Sequence, residues 1–176
     1  MTEEPKITVN HLDMGYGSFI LMRDLNCTVN RGDIFIIMGG SIAGFTLAND
    51  VSAWDIEREN ALYLPQSKTY DCCCALGPAM VTADALPDPY ALEMSCTIMR
   101  AGKELFSGSI STSRLHRRVE YLVQHLTRAN HVPCGTVVLT GTGIIVPSEA
   151  ALAPGDIVTI RVAEIGELTN HAVTVE

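Results

Sequence analysis

The chain has 176 residues, 47% of them hydrophobic and 18% charged, with a formal net charge of -8. It is long enough to bury a core and too apolar for disorder, and no apolar run reaches membrane-spanning length, so membrane insertion is not expected. The acidic balance argues against a nucleic-acid partner, which needs clustered Lys and Arg; the densest basic patch, Arg114, Arg117 and Arg118, reads as a solvated helix face.

In chain order, MTEEPK puts two glutamates where a secretory signal carries basic residues, and no apolar stretch follows, so cytoplasmic residence is expected and Asn26-Cys27-Thr28 is an accidental sequon. Residues 6–12 alternate as a strand, 15–18 (GYGS) read as a turn, and a second extended stretch covers 19–29. IFIIM at 34–38 has the continuous apolar character of a buried strand. Then come the strand GFTLANDVSA, a loop from Arg58 to Pro78 bearing Cys72, Cys73 and Cys74, and two strands flanking Ala101-Gly102 as a hairpin. Leu115, Val119, Leu122, Val123 and Leu126 recur at helical spacing and predict an amphipathic helix between Arg114 and Arg128. TVVLTGTG and the segment from Leu152 onward return to strands, with turns at Pro154-Gly155-Asp156 and at 165–167. The fold class expected is mainly β, with one main helix laid against a sheet and an N-terminal β segment before it.

The six cysteines contain no C-x-x-C pair, and three adjacent residues cannot readily close a tetrahedral zinc shell, so they read as small buried residues in a reducing compartment. Of the five histidines, His116, His125 and His131 fall on or beside the helix and His171 in a late loop, without ligand spacing.

Residues 38–50, MGGSIAGFTLAND, place Gly39 and Gly44 at the spacing of a phosphate-binding loop, with Thr46 in its last place and Phe45 where its lysine belongs. Residues 6–41 resemble the first strands of an ATP-binding cassette ATPase, through the turn at Tyr16, the RGDIF stretch and MGGS. Phe45 removes the charge on which such a loop depends, and no acidic magnesium-holding strand or L-S-G-G-Q signature follows, so no nucleotide-binding residue is assigned.

From Ala43 onward, Asn49-Asp50-Val51-Ser52 with Asp55, then Lys68, then Thr140-Gly141-Thr142, resemble the marks of the fumarylacetoacetate hydrolase family; the closing LAPGDIVTIRVAEIGELTN is also typical. DIERENALYLPQSKTY and LTGTGIIVP look like its branch of 2-keto-3-deoxy sugar-acid dehydratases, whereas Trp54 stands where the hydrolases commonly have arginine. On this reading residues 1–42 are an incomplete cassette-like segment, 43–176 a hydrolase-like domain, and MGGSIAGFT the seam between them.

The resemblance implies a mixed β-sandwich or roll, a homodimer, a small 2-oxo acid substrate and a magnesium or manganese ion, a Lewis acid that acidifies the carbon beside the keto group. It implies Asp50 as metal ligand, Lys68, Glu57 and Thr142 as catalytic residues, and Lys68, Gly141, Thr142, Gly143 and Ser52 as substrate contacts. Taken without the family, Asp50 reads as a cap at a strand end, Lys68 as a solvated lysine and Glu57-Arg58-Glu59 as a charged surface turn. The family's Glu-x-Glu strand, whose alternation aims two carboxylates at one ion, has no counterpart before Asp50, where the acids are Glu3, Glu4, Asp13, Asp24 and Asp33. Three functions follow: a metal-dependent dehydratase or C-C hydrolase of 2-oxo acids, a noncatalytic fusion product retaining part of the fold, and a nucleotide-binding fragment.

Overall fold

The computed structural model describes residues 42–133 and 135–174 in full and the backbone of 7–16 and 19–29; the strand expected at 34–38 and the loop at 39–41 lie outside the described residues. Two units are distinguished, residues 1–44 with 119–138, and residues 45–118 with 139–176.

In the first unit, β1 (Ile7–Tyr16) and β2 (Phe19–Val29) form an antiparallel pair with register shifts along it. The same unit holds α2 (Val119–Thr127), shorter than the periodicity predicts. Leu115 instead ends a 3-10 turn, Thr112–Arg114, and Arg118 stacks over the Tyr90 ring at 4.4 Å. Arg114, Arg117 and Arg118 thus precede the helix, and the solvated helix face read into them is corrected.

The second unit is built on β5 (Glu93–Arg100), β6 (Lys103–Ser111), β7 (Ile157–Val162) and β8 (Gly166–His171), an antiparallel sheet in the order β6-β5-β7-β8. Alternate residues Cys96 and Ile98, and Val158, Ile160 and Val162, face one core with Leu168, Leu86, Leu92 and Leu47. Full burial of side chains such as Ile98 contributes about 1.5–3 kcal/mol each. A separate two-stranded sheet pairs β3 (Gly44–Asp50) with β4 (Cys74–Thr82). Phe45 and Val81 reach from it to the same core.

Several expectations are corrected. β4 starts inside the stretch read as a loop to Pro78; Gly77 and Pro78 hide the strand signal, and a strand with one ladder partner among the described residues tolerates a proline that cannot donate. TVVLTGTG forms no strand: Gly141 has φ +80°, and the Thr142 hydroxyl takes the Ile144 N–H at 3.0 Å, bending the chain locally. His171 ends β8 instead of lying in a loop. Cys96 is buried, but Cys72 and Cys74 are exposed and Cys73 half-buried, because Cys72 and Cys73 lie in the turn that leads into β4 and Cys74 is the first residue of that strand.

The hairpin at Ala101-Gly102 is as expected: both residues have positive φ, 49° and 76°, the twist that a two-residue connection requires. Alanine is strained there, so Ala101→Asn is expected to stabilise the protein by about 0.5–1 kcal/mol, read from the denaturant midpoint.

The loop between residues 151 and 156 is fixed by an ion pair between a buried Asp156 and a half-exposed Arg100. Asp156, 1% exposed, takes Arg100 Nε at 2.8 Å and Nη2 at 2.7 Å, and also the Ala153 N–H; Arg100 Nη2 donates in addition to Ala151 O. The Arg100 hydrogen bond, against the opposing effect of burial, holds the Asp156 carboxyl below the usual carboxylate range. A depressed folded-state pKa contributes stability that is complete above the unfolded value and lost as pH falls through the folded one. Asp156→Asn is therefore expected to lower the thermal midpoint at neutral pH by roughly 5 °C or more and to flatten its decline in acid, as followed by circular dichroism across pH.

Candidate active site

Asp50 is the last residue of β3, and strand alternation governs where it points. Phe45 and Leu47 belong to the core side, and Asn49 shares their face. Asp50, one residue on, is turned the other way, where it meets Lys68. The chain leaving β3 is held to the turns that carry this lysine: Val51 N–H donates to Cys73 O at 2.8 Å, and Ala53 N–H to Ser67 O at 2.9 Å. Ser67, fully buried in the 3-10 turn Gln66–Lys68, donates its hydroxyl to Leu64 O at 2.8 Å.

Lys68 Nζ thereby reaches Asp50 Oδ2 at 2.7 Å, Ser52 Oγ at 2.9 Å and Asp50 O at 3.5 Å. An ammonium has three donors, and all have an acceptor within this short motif. Both side chains are about one-third exposed, Lys68 at 30% and Asp50 at 31%, so the pair is accessible to a small anion. The Cys74 thiol lies in the field of the same pair. Burial, and after it the Asp50 carboxylate, pushes the thiol above its ordinary range, while Lys68 pulls it back.

Glu57 lies on α1 (Trp54–Glu59), a helix with acidic residues in its first turn and no buried residue. The helix is fastened by Arg58, whose guanidinium stacks over Trp54 at 4.4 Å and donates to Ser148 Oγ at 3.2 Å. Glu57 forms no hydrogen bond with Asp50 or Lys68. Gly141, Thr142 and Gly143 are exposed, with Thr142 engaged by Ile144 and the Gly143 position closed to a side chain by Ile110. The structure thus joins Asp50, Ser52 and Lys68 directly and leaves Glu57 and Thr142 outside their hydrogen bonds. Sequence reasoning missed Ser67, Cys74 and the Arg58–Ser148 contact; Ser67 and Cys74 had adjacency to a named residue as their only signal.

Among the described residues, no three His, Cys, Asp or Glu side chains converge as metal ligands. Magnesium demands near-octahedral oxygen ligation and sheds water reluctantly, so one carboxylate already neutralised by an ammonium does not fit the ion.

The profile described as fumarylacetoacetate (FAA) hydrolase C-terminal matches residues 39–173. The chain is similar to 2-dehydro-3-deoxy-D-arabinonate dehydratase of Saccharolobus solfataricus, 41% identical over 158 residues that take in 88% of this chain and 53% of that protein. It is also similar to a probable 2-keto-3-deoxyxylonate dehydratase of Haloferax volcanii, 44% identical over 140 residues, 80% of this chain and 48% of that one. A solved 2-keto-3-deoxy-D-arabinonate dehydratase complexed with magnesium and 2,5-dioxopentanoate superposes with a TM-score of 0.74 at 43% identity, over 78% of this chain and 49% of that chain. The chain spans about half the length of the curated relatives it matches. These matches give the cassette-like reading of residues 6–41 no support.

The thiol reports on the pair. Alkylation of Cys74 by iodoacetamide at fixed pH, followed by peptide mass spectrometry, is expected to speed up in Asp50→Asn and slow in Lys68→Met, each by no more than about tenfold.

Proposed function

Because the chain belongs to the fumarylacetoacetate hydrolase family, we propose that it is a lyase of 2-oxo acids, dehydrating a 2-keto-3-deoxy sugar acid. The observation that carries this reading is the Asp50–Lys68–Ser52 cluster, with Lys68 Nζ held at 2.7 Å and 2.9 Å from its two side-chain partners, in a chain 41% and 44% identical to two such dehydratases.

Dehydration removes a proton from the carbon beside the keto group and hydroxide from the next carbon, so that water leaves and a carbon–carbon double bond forms. Negative charge gathers on the keto oxygen as the proton departs. Lys68 stabilises that charge or the substrate carboxylate, giving up its longest contact, 3.5 Å to the Asp50 carbonyl. Asp50 and Ser52 keep the ammonium aimed, which removes the need to reorganise it during reaction. Glu57 takes the proton, Thr142 donates to the carboxylate, and Gly141 and Gly143 let backbone approach the ligand. A magnesium or manganese ion, when bound, would polarise the keto group. The described carboxylates do not suffice to hold it, and no step above passes through it. The protein acts as a homodimer in the cytoplasm on this reading.

A second reading, a noncatalytic protein that keeps part of the fold, is favoured by the lack, among the described residues, of any three side chains that converge as metal ligands. Turnover of 2-keto-3-deoxyarabinonate and 2-keto-3-deoxyxylonate, with magnesium or manganese added and the dehydrated product followed by NMR, separates the two. The expected result is product formation that falls by about a hundredfold or more in Lys68→Met. Folded protein without turnover would favour the second reading.

A further inference from the structure

The GELTN stretch near the end of the chain has no role in the chemistry above, yet one of its side chains crosses to the site. Asn49 Nδ2 donates to Asn170 Oδ1 at 3.1 Å, a half-buried bond between side chains 121 residues apart. It joins two different sheets: Asn49 is in β3, paired with β4, and Asn170 is in β8, at the edge of the four-stranded sheet. We propose that Asn170 is a positioning residue: by holding Asn49 it fixes the end of β3, and so aims Asp50 at Lys68.

Asn49 and Asp50 leave a strand on opposite faces, so a clamp on the first sets the rotation at which the second is presented. The backbone just past β3 is tied by Val51 N–H to Cys73 O, and the Asn49 clamp acts on the strand end itself. Among the described residues β3 pairs only with β4, and its last buried core residue, Leu47, lies three residues before Asp50. Asn170 is held in turn by β8, whose register with β7 sets it opposite Val158. Val158 is 6% exposed and belongs to the core, so the clamp transmits the position of the rigid sheet to a less supported one. Asn170 serves as an acceptor, which makes aspartate the conservative replacement.

This inference rests on the function proposed above for its kinetic effect, but the integrity of the pair can be read without turnover. Lys6, Lys68 and Lys103 are the only lysines in the chain, and Lys103 is exposed, so it serves as an internal reference. Brief acetylation of the folded protein, quantified by peptide mass spectrometry, is expected to label Lys68 more slowly than Lys103. In Asn170→Ala the Lys68 to Lys103 ratio is expected to rise, and kcat on the keto-deoxy acids to fall by about tenfold to a hundredfold, the effect of misplacing a catalytic group by roughly 1 Å, with KM little changed. Asn170→Asp is expected to restore both. An unchanged ratio in folded Asn170→Ala, or failure of Asn170→Asp to restore it, overturns the proposal. Asn49→Ala breaks the same bond from the β3 side and decides the matter if Asn170→Ala does not fold. Wild-type protein without turnover would count against the proposed reaction, while the labelling ratio still decides the role of Asn170.

Discussion

Side chains alternate across a β-strand, and the last residues of β3 put both faces to use. Phe45, Leu47 and Asn49 face the core sheet, while Asp50 faces Lys68. A shift of one residue would turn Asp50 toward the core face that Ile98 and Leu168 help to form and expose Leu47, so the hydrophobic pattern that seats the strand also fixes the direction of this carboxylate. Everything assigned to the site depends on that register. The turns from Ala61 to Lys68 then bring the lysine back, riveted by the buried hydroxyl and carbonyl of Ser67.

The result is a cation held ready before any ligand arrives. Asp50 and Ser52 orient the ammonium and keep it about one-third exposed, a state suited to meeting an anion and costing little rearrangement when charge develops. The pairing also sets the terms for a divalent ion. Asp50 can serve such an ion only together with further oxygen donors and only if Lys68 shares or releases it, because magnesium competes poorly for a single occupied carboxylate. Sugar-acid dehydration and a site built around lysine are compatible on these terms, since both need positive charge where the enolate oxygen forms.

Local signals were legible in the sequence. The two-residue connection at Ala101-Gly102 and the stretch from Phe19 to Val29 emerged with the expected bounds, because turn chemistry and short-range alternation determine them. Features set by distant partners were not legible. β4 was obscured by Gly77 and Pro78, and TVVLTGTG alternates like a strand but has no ladder partner among the described residues. Leu115 keeps the helical spacing, yet its turn closes as a 3-10 turn before α2 starts. In the site, Asp50 and Lys68 were named through resemblance, whereas the contact between them is a product of folding. Asn170 could not be found at all, since nothing in a sequence joins positions 121 residues apart.

On the proposed function, the Asp50–Lys68 pair is the anion-recognition centre of the domain. Calorimetric titration of oxalate, a mimic of a 2-oxo acid, into the folded chain tests it most directly, with and without manganese and with Lys68→Met alongside. Saturable binding at one site, lost in Lys68→Met, is expected. Equal binding by Lys68→Met, or none by well-folded wild-type protein under either condition, would contradict it.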